Sequence, residues 1–296
     1  MSNSNLTAEQ INSVKSLGCL LDKRYGNVFN VRVITRNGKI TTDEQRAIAE
    51  AADLFGSSEV AMTTRQTIEI QGVPYEKIDS LITFLNEHGL ETGGTGPKVR
   101  PIVSCKGTTC RFGLIDTFSL SLKIHERFYV GFHNTALPHK FKIAVGGCPN
   151  NCVKPDINDL GVIGQRISLV NKDKCRACKK CVVEAECPMK AVSVQSSMVN
   201  VDSSICNNCG RCYKKCPFGV FDDSQTGYRI SIGGRWGKKT NTGRFISKVF
   251  ITEEEVLNAI ERAIILYKDE GIKGERFSET IDRLGIEYVE NKIING

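Results

Sequence analysis

No stretch of this chain approaches the ~20 consecutive apolar residues that a membrane-spanning helix needs, so no spanning helix is expected. The opening residues, Met1-Ser2-Asn3-Ser4-Asn5, are polar with no apolar run behind them. That pattern lacks a secretory signal and reads as a cytoplasmic protein without a membrane partner. No glycine-rich loop continues into Gly-Lys-Ser/Thr. The segment Gly93-Gly94-Thr95-Gly96-Pro97 has neither that continuation nor a strand-to-helix context, and no dinucleotide fingerprint occurs elsewhere. A dense Lys/Arg run interleaved with aromatics is missing too. The net charge of +7 therefore does not point to nucleic acid.

Ordinary composition accompanies these absences. At 296 residues, with 40% hydrophobic and 25% charged side chains, the chain is long enough for a substantial core. Cysteine is the departure, with 13 residues. In a chain this size without an export signal, metal ligation is a better reading than disulfides.

Their spacing divides them. Phe141-Lys142-Ile143-Ala144-Val145 is an apolar strand that runs into Gly146-Gly147 and then Cys148-Pro149-Asn150-Asn151-Cys152. Glycine lets a backbone turn tightly and approach a bulky ligand, and thiolates in such a turn suit iron–sulfur clusters. Two cysteines cannot complete a cluster, and the nearest upstream pair is Cys105 and Cys110, spaced C-x4-C. A second group reads Cys175-x2-Cys178-x2-Cys181-x5-Cys187-Pro188, and a third reads Cys206-x2-Cys209-x2-Cys212-x3-Cys216-Pro217. This internal repeat is the signature of a bacterial two-cluster ferredoxin, in which the fourth cysteine of each run serves the other cluster. A zinc ribbon, the rival, would leave four cysteines unexplained. The x5 gap before Cys187 enlarges a loop without removing a ligand. Cys19, after a glycine in an apolar stretch, is expected to be a buried structural thiol.

Periodicity supplies the frame. Thr7 and Gln10 form a capping box for a helix ending near Gly18. Residues 28–35 alternate as a strand, followed by an Asn37-Gly38 turn, and Thr42 caps a helix to about Phe55. Residues 59–63 and 67–70 read as short strands broken around Arg65, and Pro74 opens a helix to about His88. The order β-α-β-β-α is a ferredoxin-like half domain. Residues 113–127 read as helix, 137–145 and 159–164 as strands. After the cysteine repeat, residues 228–232 return to strand before a basic glycine loop around Arg235-Trp236-Gly237-Lys238. Thr252 and Glu255 cap a helix to about Lys268, and residues 277–284 read as a short one.

The C-x4-C and Gly-Cys-Pro-Asn-Asn-Cys pair, with Thr63-Thr64-Arg65-Gln66-Thr67, resembles the sulfite and nitrite reductases that bind siroheme bridged to a [4Fe–4S] cluster. The ferredoxin insert narrows the resemblance to the catalytic C subunits of anaerobic sulfite reductase. The resemblance covers about residues 25–285 and implies an α+β fold in three parts. Residues 1–95 would form the N-terminal helix and half domain. Residues 96–169 with 224–296 would form the siroheme/[4Fe–4S] reductase domain. Residues 170–223 would be an inserted 2[4Fe–4S] ferredoxin domain.

It also implies siroheme and three [4Fe–4S] clusters. Cys105, Cys110, Cys148 and Cys152 would hold the coupled cluster, with Cys152 shared with siroheme. Cys175, Cys178, Cys181 and Cys216 would hold one relay cluster, and Cys206, Cys209, Cys212 and Cys187 the other. Siroheme carboxylates call for cationic and backbone donors. Thr64, Arg65, Gln66, Thr67, Asn150, Arg235 and Lys238 are the cofactor candidates, with Arg229 and Arg244 in a wider set. Arg65, Arg100, Lys140 and Lys142 would hold the oxyanion, the two lysines sharing one face of a strand with Phe141 opposite. His139 would be turned away from them. The implied reaction is multi-electron reduction of sulfite to sulfide, with nitrite to ammonia as the alternative and a bare electron-transfer subunit as a third reading. With no flavin or nicotinamide motif, electrons are expected from ferredoxin or another protein donor. A homodimer is expected, a flavin-bearing hetero-subunit being the alternative.

Overall fold

The computed structural model describes residues 6–296, so the signal-sequence reading of the first five residues lies outside the described residues. The chain divides into two compact units. One comprises the residues up to 104 with 121–143 and 263–289, and the other residues 105–120, 144–262 and 290–296.

The first unit opens with α1 (Ala8–Lys15), capped by the Thr7/Gln10 box. β1 (Cys19–Leu21), β2 (Val28–Val33), α2 (Thr42–Phe55), β3 (Val60–Met62), β4 (Ile68–Pro74) and α3 (Ile78–Glu87) follow. The strands form an antiparallel sheet in the order β1-β2-β4-β3. Alternation along β2 buries Phe29, Val31 and Val33 completely, and they join Ile48, Ala51, Leu81 and Leu85 of the two helices in one core. Burying each such side chain contributes about 1.5–3 kcal/mol. Cys19 belongs to this core, and burial first, then Asp79, pushes its thiol up to about 12. It is a packing residue.

Two local readings shift. Thr41, not Thr42, is the N-cap of α2. Its hydroxyl accepts from the Glu44 N–H at 3.1 Å and Glu44 returns a bond to the Thr41 N–H at 2.7 Å. Both threonines have an acidic or amide residue three positions on, and the carboxylate box prevails. Pro74 ends β4 and is followed by a single 3-10 turn, Tyr75–Lys77, before α3 begins.

Beyond β5 (Val103–Ser104), α4 (Thr117–Ile124) starts four residues later than its apolar pattern suggests and runs into a π-helical turn, His125–Val130. β6 (Ile143–Gly146) and β7 (Leu160–Ser168) lead to the insert, which contains α5 (Val182–Glu186) and the hairpin of β8 (Val192–Gln195) and β9 (Met198–Val201). β10 (Ser224–Ile232) and β11 (Arg244–Phe250) return to the sheet, and α6 (Glu253–Glu270), α7 (Phe277–Leu284) and α8 (Ile286–Asn295) close the chain. In the second unit the strands lie in the order β11-β10-β7-β6. β7 and β10 pair from Leu160↔Ile232 to Ser168↔Ser224. Residues 169–223 are therefore an excursion from the tip of one hairpin. They carry a small core of their own, Val183, Val192, Val199, Val220 and Phe221. Among the described residues no helix is long and apolar enough to cross a membrane.

The C-terminal helices position residue 141. Phe141, Tyr267 and Phe277 form a buried aromatic triad with centroids 5.2–5.7 Å apart, within the range where ring pairs add stability beyond area. The Tyr267 hydroxyl donates to the Glu275 carbonyl at 2.5 Å. The Glu275 carboxylate accepts from Arg283, the Ile272 N–H and the Thr280 hydroxyl, and its pKa is held down at about 2, the Arg283 bond being the largest cause. A carboxylate depressed in the folded state stabilises above its unfolded pKa and loses that contribution as pH falls through its folded value. The native protein should therefore lose melting temperature between about pH 4.5 and pH 2 in part through this group, and Glu275→Gln should lack that part. Thermal melts of both proteins across the window measure it, and identical pH slopes would contradict it.

Candidate functional site

The four cysteines of the first group come together in the second unit. The Cys105 N–H donates to the Val145 carbonyl at 3.1 Å, and the Gly147 N–H donates to the Cys105 sulfur at 3.1 Å. The Thr117 hydroxyl donates to the Cys105 carbonyl at 2.7 Å, while the Gly147 carbonyl accepts from Leu114 at 2.9 Å. Burial is the main cause that raises the Cys148 thiol. The Asn150 backbone N–H works against it, and Cys105, Cys152 and Cys110 add to it as near neighbours. Thiols placed so close to one another are costly to ionise unless a cation shares the site. An N–H directed at a sulfur is a feature that tunes iron–sulfur clusters.

Two glycines make the cradle possible. A Cβ on Gly107 would lie 2.8 Å from the Gly147 Cα, and one on Gly147 would lie 2.8 Å from the Gly107 Cα and 3.4 Å from the Cys105 sulfur. The backbones touch where side chains would otherwise stand. Sulfur donors, a backbone N–H to sulfur and this closeness fit a [4Fe–4S] group. Gly147→Ala should therefore lose about four irons per chain while the fold survives. Iron analysis beside far-ultraviolet circular dichroism tests this, and full iron content would contradict it.

The basic loop after β10 lies against the same turn. A Cβ on Gly234 would meet the carbonyls of Asn158 and Asp156 at 2.3 and 2.4 Å, and the Gly243 N–H donates to Asp156 at 2.7 Å. Asp156 also accepts from the Asn151 side chain at 2.8 Å, inside the Cys148–Cys152 turn. Arg235, paired through its backbone with Asn241, and exposed Lys238 belong to this loop. Lys154 sits 5.9 Å from the exposed Trp236 ring. Arg229 lies over Phe245, at 4.1 Å, and Arg244 is exposed.

In the insert, one cavity is lined by Cys206, Cys209, Cys212 and Cys187 together with Pro188 and Met189. Cys187 thus joins the second run across some twenty residues of chain. Burial raises Cys206 and Cys212; Cys209 and Cys187 are among the neighbours of Cys206, and the Ser168 hydroxyl contacts Cys212 at 3.0 Å. Cys175, Cys181 and Cys216 pack on the insert core, and Cys178 is exposed.

The oxyanion and remaining cofactor candidates belong to the first unit, and several have local tasks that sequence does not reveal. Thr63–Thr67 is a tight turn, closed by the Thr63 and Thr67 hydroxyls at 2.7 Å with Gln66 at φ 58°. The Arg65 guanidinium donates to the Pro101 carbonyl at 2.6 Å and the Ile143 carbonyl at 3.1 Å. The Gln66 amide pairs with both backbone groups of Ser104, at 2.7 and 2.9 Å, which fixes the residue before Cys105. Thr64 is exposed. Thr63, Gln66 and Thr67 line a pocket of about 420 Å³ together with Thr35, Gly38 and Gln45. Arg100 donates to the Gly94 carbonyl.

Lys140 and Lys142 do not lie on a strand, because β6 begins only at Ile143. Phe141 makes a single parallel bridge to Val99 and is buried in the aromatic triad, while both lysines are half-buried on either side of it. His139 is half-buried, and its Nδ1 accepts from the Lys140 backbone N–H at 2.7 Å. Thr117, Gly107 and the Asn151–Asp156 bond, which shape the cysteine cradle, carried no sequence signal beyond their nearness to it.

A sheet unit built around four cysteines and two backbone-contacting glycines, with a ferredoxin-like sheet beside it in the chain, defines an iron–sulfur reductase class. The chain belongs to the nitrite and sulfite reductase family. The family model "Nitrite and sulphite reductase 4Fe-4S domain" matches residues 95–295, and "Nitrite/Sulfite reductase ferredoxin-like half domain" matches residues 22–88. The chain is 29% identical to the coenzyme F420-dependent sulfite reductase of Methanocaldococcus jannaschii over 90% of its own length and 42% of that protein's. An uncharacterized protein of the same organism is 31% identical, with 95% of this chain and 98% of that protein covered. The C subunit of anaerobic sulfite reductase from Salmonella typhimurium is 26% identical, over 83% and 77% respectively. Among solved structures, dissimilatory sulfite reductase I shares the fold with a TM-score of 0.70 at 21% identity, covering 90% of this chain and 69% of the other.

Proposed function

We propose that the chain is the catalytic subunit of a siroheme- and [4Fe–4S]-dependent reductase that converts sulfite to sulfide. The observation that carries this reading is the Cys105–Cys110–Cys148–Cys152 set, with the Gly147 N–H directed at the Cys105 sulfur. Cys152, exposed at the end of its turn, is the ligand shared with siroheme. Arg235 and Lys238 neutralise rim carboxylates beside it, with Asn150 and the Thr64-Arg65-Gln66-Thr67 turn as further contacts. When bound, siroheme supplies the iron that holds the oxyanion and receives electrons. Arg65, Arg100, Lys140 and Lys142 bind and orient that anion, and the lysines donate protons as its charge builds. In the insert, Cys175, Cys178, Cys181 and Cys216 would hold one further cluster and Cys206, Cys209, Cys212 and Cys187 another, which would supply one-electron transfer from a protein donor.

Edge strand β3 leaves Val60 44% and Met62 78% exposed, and an uncovered edge of this kind favours self-association. A homodimer is expected by light scattering, and a monomer at working concentration would contradict it. Function is tested by steady-state rates on sulfite and on nitrite with reduced methyl viologen. Faster turnover of sulfite, with sulfide as product, supports the reading. Turnover of nitrite alone would make the chain a nitrite reductase, and turnover of neither would leave it an electron carrier.

A further inference from the structure

One face of β7 is turned toward cysteine-bearing loops. Alternation along a strand places residues 164, 166 and 168 on the same side. A Cβ on Gly164 would lie 2.6 Å from the Gly147 carbonyl, in the loop that carries Cys148. Arg166 bridges Cys209 through its backbone, its N–H donating to the Asn208 carbonyl at 2.8 Å. Its guanidinium covers the Tyr213 ring at 4.3 Å, and a Cβ on Gly210 would lie 2.9 Å from the Arg166 Cβ. The second cysteine run is thus laid along this strand. Ser168 ends β7, paired with Ser224 in the register of β7 and β10, and its hydroxyl lies 3.0 Å from the Cys212 sulfur.

That contact has one sense once Cys212 is a ligand. A metal-bound thiolate carries no proton, so the serine hydroxyl donates and the sulfur accepts. The hollow that gathers Cys187, Cys206, Cys209 and Cys212 is walled by Pro188, Met189, Val192 and Val201. Four sulfurs around an apolar hollow fit a [4Fe–4S] group. Among the described residues that line it, Ser168 carries the one hydroxyl. Burial is the main cause that raises the Cys212 thiol, and the Ser168 bond works against it.

Resting on the reading that these four cysteines hold a cluster, we propose that Ser168 sets the reduction potential of that cluster, raising it through the hydrogen bond to Cys212. An electron added to a cluster places negative charge on its sulfurs. A hydroxyl aimed at one of them stabilises the reduced state more than the oxidised one. The apolar walls strengthen the effect by lowering the local dielectric. On reduction the cluster gains one electron and one unit of negative charge. The serine keeps its proton, and no bond forms or breaks.

The test follows the reduced-cluster signals by electron paramagnetic resonance. The anaerobic holoprotein, without sulfite, is poised at stepped potentials with dithionite and viologen mediators. Ser168→Ala should lower one midpoint, so that the reduced-to-oxidised ratio at the native midpoint falls on the order of tenfold, about 59 mV for a one-electron couple. The signal that moves should be the one that Cys209→Ala abolishes, and the others should stay in place. Ser168→Thr and Ser168→Val are nearly alike in shape and differ in the hydroxyl. The first should keep the native midpoint and the second should follow Ser168→Ala, and this pair decides the matter if Ser168→Ala loses iron. Equal midpoints in the pair overturn the proposal, as does an equal shift of every signal in Ser168→Ala. Loss of iron from both members of the pair also overturns it, since Ser168 is then a packing residue alone. Native iron near four per chain is a separate failure, seen before any variant is made: it removes the insert's clusters, and this proposal with them. Because sulfite is absent, failure of the sulfite reductase reading shows only in turnover and leaves the potentials standing.

Discussion

Lys142→Met is expected to retain the siroheme spectrum and lose turnover on the order of a hundredfold or more. Removing one donor that acts mainly on charge developing in the transition state costs about 2.7–4 kcal/mol. The surroundings of this lysine favour such a role. Phe141, beside it, is locked into the triad with Tyr267 and Phe277, so the main chain that carries Lys140 and Lys142 has little freedom. Packing of that kind gives a flexible side chain a fixed base from which to reach an anion. Lys140→Met should behave similarly, with Lys142→Arg as a partial rescue through retained charge. Rates on sulfite and nitrite, measured beside the visible spectrum, decide the matter. Full activity of both Met variants on both anions would remove the lysines from the pocket.

Cys187→Ala should lower cluster iron from about twelve to about eight per chain, and the partner of that loss identifies the wiring. Cys187 shares a cavity with Cys206, Cys209 and Cys212, not with the run that precedes it in the chain. Adding Cys209→Ala to Cys187→Ala should therefore remove no further iron, because both ligands serve one cluster. Adding Cys178→Ala should remove about four more. Iron analysis of the two double variants separates the crossed from the uncrossed arrangement, since uncrossed ligation gives the opposite pair of values.

Much of this architecture was legible because its signals are local. The Thr7/Gln10 and Thr252/Glu255 boxes marked two helix starts correctly, since a cap is written within four residues. Val256, Ile260 and Ile264, four residues apart along α6, are all fully buried on one face. Strands too short to show a period were missed, among them β1 and the β8–β9 hairpin. α8 was missed as well, because Gly285 follows α7 directly and reads as a terminus. The 137–142 segment looked like strand from composition, yet its order comes from an aromatic triad with partners more than a hundred residues away. Within the site, Cys105 lies near Cys148, and Cys187 near Cys206, although each pair is far apart in the chain. The tasks of Arg65 and Gln66 were hidden for a different reason. Their partners are backbone groups of Pro101, Ile143 and Ser104, and a backbone acceptor leaves no mark on sequence.

The most direct test of the central claim is the visible spectrum of the anaerobically purified protein, with the tetrapyrrole extracted and its iron counted. The expected result is siroheme bands that shift on adding sulfite, one extracted siroheme per chain and about twelve further irons. A spectrum of iron–sulfur clusters alone, with no tetrapyrrole in the extract and no response to sulfite, would contradict it.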